Sequence, residues 1–298
     1  MPKRPWLNLD RATDYGSVGW GFESLRARTR GPREALVAYM RKTLSIAAAA
    51  LALTAGCSNV GDRPPVGDGG APAYFPNGDG SSWTYGCQRY FNNVPYGEPS
   101  EYTETFDGEV VVAGRVAQRL VRFSPGVDQY EICFLRDDDE NYVEGLGREF
   151  YVGGVPTGAV YFDPPWEYLK YPLRVNRSWL EAKQQRLSPL CLGLPADVDN
   201  DGRDDAVDVE IVCHVVTKED LAIPIGTFEG CYKVRRTVYA VFHMTQGGDV
   251  EQSYVQYGWF KPQKGYLQYA GDEMGVPNAA RFTFLTQLKS YHVVERDF

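Results

Sequence analysis

The feature that most constrains this chain is a side-chain alternation with a period of two. In Val207-Asp208-Val209-Glu210-Ile211-Val212-Cys213-His214-Val215 the odd positions are apolar and most even positions polar. Successive side chains of a strand point to opposite faces, so such a run fits a strand with one face buried. Similar runs span 108–113, 117–123, 130–135, 229–242, 252–260 and 280–290, and Gly, Pro, Asn or Asp clusters separate many of them. β-Branched residues are frequent and aromatic ones abundant, with 20 Tyr and 14 Phe, as pleated half-buried surfaces favour. The best helical candidate, Trp179 to Arg186, is short. The expected fold class is therefore mainly β, antiparallel, with little helix.

A faint internal repeat refines this expectation. Pro76 to Trp83 and Pro172 to Trp179 share the pattern P-x6-W with Ser before Trp, and aromatic residues precede each block. Each block is followed by strands that turn back on themselves, first at 108–114 with 118–122, then at 219–225 with 231–236. The expectation is two related β units, 74–170 and 171–298, curving into a half-barrel or sandwich around one core.

Before the β region the chain carries an address. From Met40-Arg41-Lys42 the sequence runs through an apolar stretch to Leu53-Thr54-Ala55-Gly56-Cys57, the three-part layout of a secretory signal. The uncharged run is too short for a spanning helix, which needs about 20 residues. Its end resembles a bacterial lipobox, although Thr54 stands where Leu is commoner. The resemblance implies a signal peptide at 40–56 and an acylated Cys57 that anchors the protein to a membrane. Ser58 in place of Asp resembles lipoproteins sorted to the outer membrane, with the body on the periplasmic or cell-surface side. Residues 1–39 read as an upstream extension, because Gly21-Phe22-Glu23-Ser24 looks like read-through of a transfer-RNA gene. The Gly/Pro/Asp stretch at 57–73 reads as a flexible tether reaching roughly 20–25 Å.

Charge separates address from body. Residues 1–56 carry 9 Lys/Arg and 4 Asp/Glu, whereas the remainder carries 22 and 35. An acidic body without basic runs argues against nucleic acid as a partner.

Short blocks of the body also resemble a class of secreted bacterial lipoproteins. Tyr74-Phe75-Pro76 to Gly80, Trp83 and Tyr85 look like that class's opening "YFP…G…W.Y" block, and Ile223-Pro224-Ile225-Gly226-Thr227-Phe228 resembles its "VPAGTF" block. Trp259 to Tyr266 resembles its closing element, with Gln263-Lys264-Gly265 departing from the usual Gly-x-Gly. The class is similar to half-barrel lipoprotein carriers of the Lol type, which implies a curved sheet holding a lipid or another apolar ligand.

The sharpest chemical signal is Asp197-Val198-Asp199-Asn200-Asp201-Gly202-Arg203-Asp204-Asp205. Calcium takes six to eight oxygens, and carboxylates at alternate loop positions converge on one ion when a glycine permits the turn. Asp197, Asp199, Asp201, the Arg203 carbonyl and Asp205 are the expected ligands of a structural Ca2+. The pattern resembles FG-GAP-type and EF-hand-like loops, and the β run from Ala206 favours the former. Asp137-Asp138-Asp139-Glu140 lacks alternation and glycine and reads as a solvated turn.

Catalytic patterns are scarce. His214, His243 and His292 are isolated, and neither a metalloprotease H-E-x-x-H nor a G-x-S-x-G elbow occurs. Cys87, Cys133, Cys191, Cys213 and Cys231 have no C-x-x-C spacing, which argues against zinc. In an exported body they are expected to pair, Cys87 with Cys133 and two of the remaining three together. Trp166, Tyr168 and Tyr171 lie in a Pro-rich stretch that reads as a connector between the two units. The sequence thus reads as a non-enzymatic exported lipoprotein with a lipid or other apolar ligand. The alternatives are a structural or surface-interaction protein and, behind it, a carboxylate-based hydrolase.

Overall fold

A computed structural model describes residues 75–126, 128–137, 142–273 and 282–294. The signal peptide, Cys57, the tether and residues 1–39 lie outside the described residues, as do Asp138, Asp139 and Glu140. The described chain forms twelve strands: β1 (Ser82–Phe91), β2 (Val94–Val112), β3 (Arg115–Phe123), β4 (Gln129–Asp137), β5 (Tyr142–Val152), β6 (Val155–Lys170), β7 (Ser178–Leu187), β8 (Ala206–Ile223), β9 (Gly226–Met244), β10 (Gly248–Lys261), β11 (Gly265–Asp272) and β12 (Phe282–His292). One turn of 3-10 helix, Pro189–Leu192, lies between β7 and β8.

All twelve strands join one sheet in the order β6-β5-β4-β3-β2-β1-β12-β11-β10-β9-β8-β7. Every pairing is antiparallel between neighbours in the chain, except that β1 also pairs with β12. The first and last strands therefore meet in the middle of the sheet, and the middle of the chain supplies both edges. The sheet curls until those edges almost touch, giving a nearly closed, barrel-like shape. Trp83 and Trp179, the ends of the two P-x6-W blocks, are each the second residue of a strand, β1 and β7.

Side chains, not a ladder, close the seam between β6 and β7. Trp166 Nε1 donates to Gln184 Oε1 at 2.9 Å, and the Gln184 amide donates in turn to the Pro164 carbonyl. Trp179 Nε1 donates to the Glu167 carbonyl at 2.9 Å. The edge position explains how β6 contains Pro156, Pro164 and Pro165, since proline cannot donate to a ladder and is confined largely to edges. This stretch was expected to be a connector; it is the outer half of an edge strand.

The alternation seen in sequence is the burial pattern of the strands. In β8, Val207, Val209, Ile211, Cys213 and Val215 are all buried. The main core gathers inward residues of both halves, among them Tyr85, Phe106, Leu169, Val215, Phe260, Leu267 and Leu288. A second cluster packs under the seam, where Phe162 and Trp166 stack at 3.9 Å against the neighbourhood of Leu192, Val209 and Phe242.

Two further expectations are corrected. The best helical candidate, 179–186, is strand β7, paired with β8 through Trp179↔Cys213 and Leu180↔Val212. Its residues have good helix propensity, but propensity is a weak prior, and here the buried Trp179 and Glu181 and the ladder to β8 prevail. The five body cysteines are free, buried thiols. Cys87 and Cys133 cannot pair because β2 and β3 separate their strands. Three inter-strand spacings of about 4.8 Å exceed the reach of a disulfide.

Trp166 fills the seam and is only 3% exposed. Trp166→Ala is expected to cost about 3–5 kcal/mol in denaturant unfolding. Hydrogen exchange should then show β6 and β7 losing protection before β1 and β12.

Candidate functional site: a charged and aromatic cavity

The curled sheet leaves an interior cavity of about 130 Å³. Its wall is mixed in a way that the flanking core is not. Arg122, Arg148, Arg236 and Glu181 face it together with Tyr102, Tyr168, Tyr257, Tyr266 and Tyr269.

Strand register assembles the charges. Glu104 on β2, Arg122 on β3 and Glu131 on β4 stand opposite one another across successive ladders. Arg122 donates through Nε and Nη2 to Glu104 Oε1, at 2.9 and 2.6 Å, and through Nη1 to Glu131 Oε2 at 3.1 Å. Arg148, on β5, brings Nη1 to 3.2 Å from the other Glu131 oxygen. In the second half, Arg236 on β9 holds Glu181 on β7 bidentately, at 2.7 and 2.9 Å. Such forked pairs are the strong form of the charge-assisted bond.

The pairing fixes protonation. Burial pushes the Glu131 carboxyl up, but Arg148 and Arg122 outweigh it and hold the group below the usual carboxylate range. Cys133 donates to Glu131 at 3.3 Å, and burial together with that carboxylate pushes its thiol up to about 12. Cys213 donates to Glu181 at 3.2 Å and is likewise raised by burial and then by Glu181. Neither sulfur is thiolate at neutral pH, so neither is an activated nucleophile. Burial raises Tyr102, Tyr168, Tyr266 and Tyr269 as well, which keeps their phenols protonated.

The aromatic wall is continuous. Tyr85 stacks on Tyr102 at 5.0 Å, Tyr266 stacks on Tyr269 at 4.9 Å, and Tyr168 meets Tyr266 edge-on at 6.4 Å. Arg122 lies 5.4 Å from the Tyr102 ring centre, within cation–π range. Of the three aromatics singled out in the supposed connector, Tyr168 faces this cavity, Trp166 is in the seam and Tyr171 donates to Asp137.

The acidic loop forms a separate cluster. Carboxylate oxygens of Asp197, Asp199 and Asp205 lie within 4.8 Å of one another. Asp205 is buried, with Oδ2 accepting from the Val198 and Asp199 amides and Oδ1 from the Thr245 amide. The Asp201 carboxylate bonds to the β9–β10 turn, its Oδ2 accepting from Thr245 Oγ1 at 2.5 Å, and its Oδ1 accepts from the Arg203 amide. Thus three of the five expected ligand residues converge, the Asp201 carboxylate bonds to Thr245, and the Arg203 amide donates to Asp201.

The histidines stand outside the cavity. His214 Nδ1 is 2.8 Å from Ser178 Oγ. His243 sits between Asp208 and Asp249, with its Nδ1 bonded to the latter. His292 ends β12 at the surface.

Sequence reasoning did not find the charged residues of the cavity, although a signal existed. Glu104 and Arg122 fall on the inward parity of their strands, two residues from Tyr102 and Leu120, and Arg236 falls two residues from Val234. A charge in phase with a buried apolar run is a charge aimed at the core.

No protein-family model matches the chain, and no curated protein matches it. Two solved structures are similar over most of its length. One, from Bacteroides fragilis, is provisionally described as an exported protein with a YmcC-like fold; it is 14% identical, covering 74% of this chain and 100% of its own, with a TM-score of 0.31. The other, provisionally described as a lipoprotein of Parabacteroides distasonis, is 13% identical, covering 75% and 100%, with a TM-score of 0.37.

Glu181 is 2% and Arg236 21% exposed in their side chains. Removing one partner of a buried pair strands the other, at a cost of about 3–5 kcal/mol, whereas replacing both by apolar groups is often neutral. Glu181→Gln is therefore expected to destabilise by roughly that amount. The double variant Glu181→Leu/Arg236→Met should recover most of it in a denaturation cycle.

Proposed function

We propose that the protein is an exported lipoprotein, acylated at Cys57 and held at the outer membrane, whose nearly closed sheet holds a small amphiphilic ligand without chemical turnover. The observation that carries the ligand reading is the interior cavity, with tyrosine faces on one side and guanidinium groups on the other. Its volume, about 130 Å³, is below the roughly 300–1,000 Å³ of pockets for drug-sized ligands. A whole lipid is too large, so the ligand is small, or only its polar end enters. The lining also changes the expected chemistry from apolar to amphiphilic.

The same contacts argue against turnover. Glu104, Glu131 and Glu181 are each bound to arginine. The thiols of Cys133 and Cys213 are protonated, and no histidine lines the cavity. A carboxylate hydrolase requires one acid held protonated and another free to act as base or nucleophile, and this interior offers neither arrangement.

Native mass spectrometry of the acylated protein in mild detergent tests the ligand reading. A bound small molecule is the expected result, whereas an unliganded mass together with no stabilisation by any amphiphile overturns it. Cys57→Ser should abolish palmitate incorporation and release the protein from the membrane fraction. A surface-interaction role is favoured by one other observation. The hairpin residues Val94, Val111 and Val155 are 63%, 66% and 62% exposed, although they lie on separate tips.

We also propose that Ca2+ binds at Asp197, Asp199 and Asp205, with Asp201 and the Arg203 carbonyl completing the set, and clamps the loop to the β9–β10 turn. The convergence of three carboxylates supports this reading, since like charges so close oppose one another without a cation. Calcium at a hundredfold excess over Kd is expected to raise Tm by about 5–10 °C. Asp199→Ala should remove the rise. No heat of binding at millimolar calcium and no chelator effect would count decisively against it.

A further inference from the structure

The twelve strands run alternately up and down, so their connections divide between two ends of the sheet. One end carries the joins β2–β3, β4–β5, β6–β7, β8–β9 and β10–β11, together with the entry to β1 and the exit from β12. The opposite end carries the β7–β8 loop with Asp197, Asp199, Asp201, Asp204 and Asp205. At the first end the joins of the second half, 171–177, 224–225 and 262–264, contain Arg174, Arg177 and Lys264 and no acid. The acidic run that starts at Asp137 belongs to the same end but to the first half, between β4 and β5.

At this end the β8–β9 hairpin reaches past its neighbours. The ladder from β8 to β7 stops at His214↔Ser178, and that from β9 to β10 stops at Tyr232↔Phe260. Between Asp220 and Glu229 the hairpin tip, Leu221 to Phe228, carries no charge. Leu221 and Ile223 are buried, whereas Ala222, Pro224 and Ile225 are exposed, Ile225 at 38%. The hairpin leans across the sheet end, because Phe228 meets Tyr291 of β12 at 6.3 Å. Lys264 Nζ lies 5.0 Å from the centre of the same Tyr291 ring, which is itself 36% exposed. The β6–β7 join is tied to the base of this hairpin, Asn176 donating to the Val215 carbonyl at 2.8 Å, and it exposes Arg174 and Val175.

The chain enters the sheet beside this surface. Phe75 stacks on Phe260 at 6.4 Å, Trp83 Nε1 donates to the Lys264 carbonyl at 2.7 Å, and a Cβ on Gly265 would lie 3.6 Å from Pro76 Cγ. Between Cys57 and Phe75 stand 17 residues, a flexible reach of roughly 20–25 Å. The opposite end lies about 33 Å away along the ten residues of β1, beyond that reach.

We infer that this end, through Ile225, Tyr291, Lys264 and Arg174, lies against the surface of an anionic phospholipid bilayer, the one that holds the acyl chains of Cys57. The orientation rests on the acylation reading above; the lipid-binding face does not. An exposed apolar tip and a tyrosine suit the boundary between headgroups and acyl chains, and lysine and arginine beside them are attracted by anionic headgroups. Residues 57–298 carry 22 Lys/Arg and 35 Asp/Glu, so an anionic surface repels the body as a whole and the acid-free flank is the one that can approach it. The calcium loop then points away from the membrane.

Two measurements separate the face from the anchor. In the first, the mature chain with Cys57→Ser, which has no acyl group, is mixed with vesicles of phosphatidylglycerol or of phosphatidylcholine. Co-sedimentation is expected to show binding at least about tenfold tighter to the anionic vesicles. Lys264→Gln should weaken it about fivefold, the factor for one cation near an anionic surface, and Ile225→Asp by at least as much. Val155→Asp, at the opposite end, should change nothing. Should Ile225→Asp unfold the chain, Arg174→Gln takes its place, with about fivefold weakening expected. No preference for phosphatidylglycerol, or equal binding by wild type and the Lys264 and Ile225 variants, overturns the inference. In the second, the acylated protein in phosphatidylglycerol vesicles carries a dye on Ile225→Cys or on Val155→Cys, the body's own thiols being buried. Nitroxide lipids are expected to quench the dye at 225 and not at 155, and equal quenching at both positions overturns the orientation. If the protein with Cys57 intact fails to float with vesicles while the Cys57→Ser chain keeps its anionic preference, the acylation reading falls and the lipid-binding face stands.

Discussion

The contact on which the rest depends is the seam between β6 and β7. Because β1 and β12 pair in the middle of the sheet, the two edges are neighbours in sequence, joined by only the segment from Tyr171 to Arg177. An edge strand exposes unpaired amides and carbonyls, and proteins must cover, break or pair such edges. Here a ladder is precluded by proline on the β6 side, and the edges are joined by Trp166, Gln184 and Trp179 instead. A bond made by a side chain tolerates a gap that a backbone ladder does not. The curvature therefore stops just short of closure, and the interior is left partly open and unfilled.

Enclosure is what gives the charges their meaning. On an open sheet, Arg122 with Glu104 and Arg236 with Glu181 would be solvated cross-strand pairs of small energetic weight. Within the curled sheet they are largely removed from water, where each carboxylate depends on its guanidinium and the cost of separating them is large. The tyrosines follow the same logic, since a phenol presents an apolar face to the core and a polar tip to the cavity. The interior is thus a polar network set inside an aromatic shell.

Much of the fold was legible in sequence for a physical reason: β8 and β9 have one face in the core and one in solvent, and their side chains report it directly. Of the strands that no alternating run marked, β6 and β7 lack that contrast, whereas β1 alternates in burial from Ser82 to Cys87. β6 is an edge with prolines, and β7 is spelled in helix-favouring residues, Leu180-Glu181-Ala182-Lys183-Gln184. The acidic loop was visible because its ligand candidates are close in sequence. The cavity was not, because Glu104, Arg122, Glu131, Arg148, Glu181 and Arg236 come from six strands, and only the register brings them together.

The loop and the cavity lie in different cores and place different demands on the same half of the sheet. Asp205, Thr245 and the β9–β10 turn tie the loop to the far end of β9, and Arg236 lies further back along the same strand with Glu181 opposite on the seam strand. Strand β9 is paired along its length to β8 and β10, so it is held rigidly between those two attachments. Fixing the loop therefore limits how far β8 and β9 can shift, and β7 is held to the sheet only through β8. On the other flank β6 is the corresponding edge, paired to β5 as β7 is to β8.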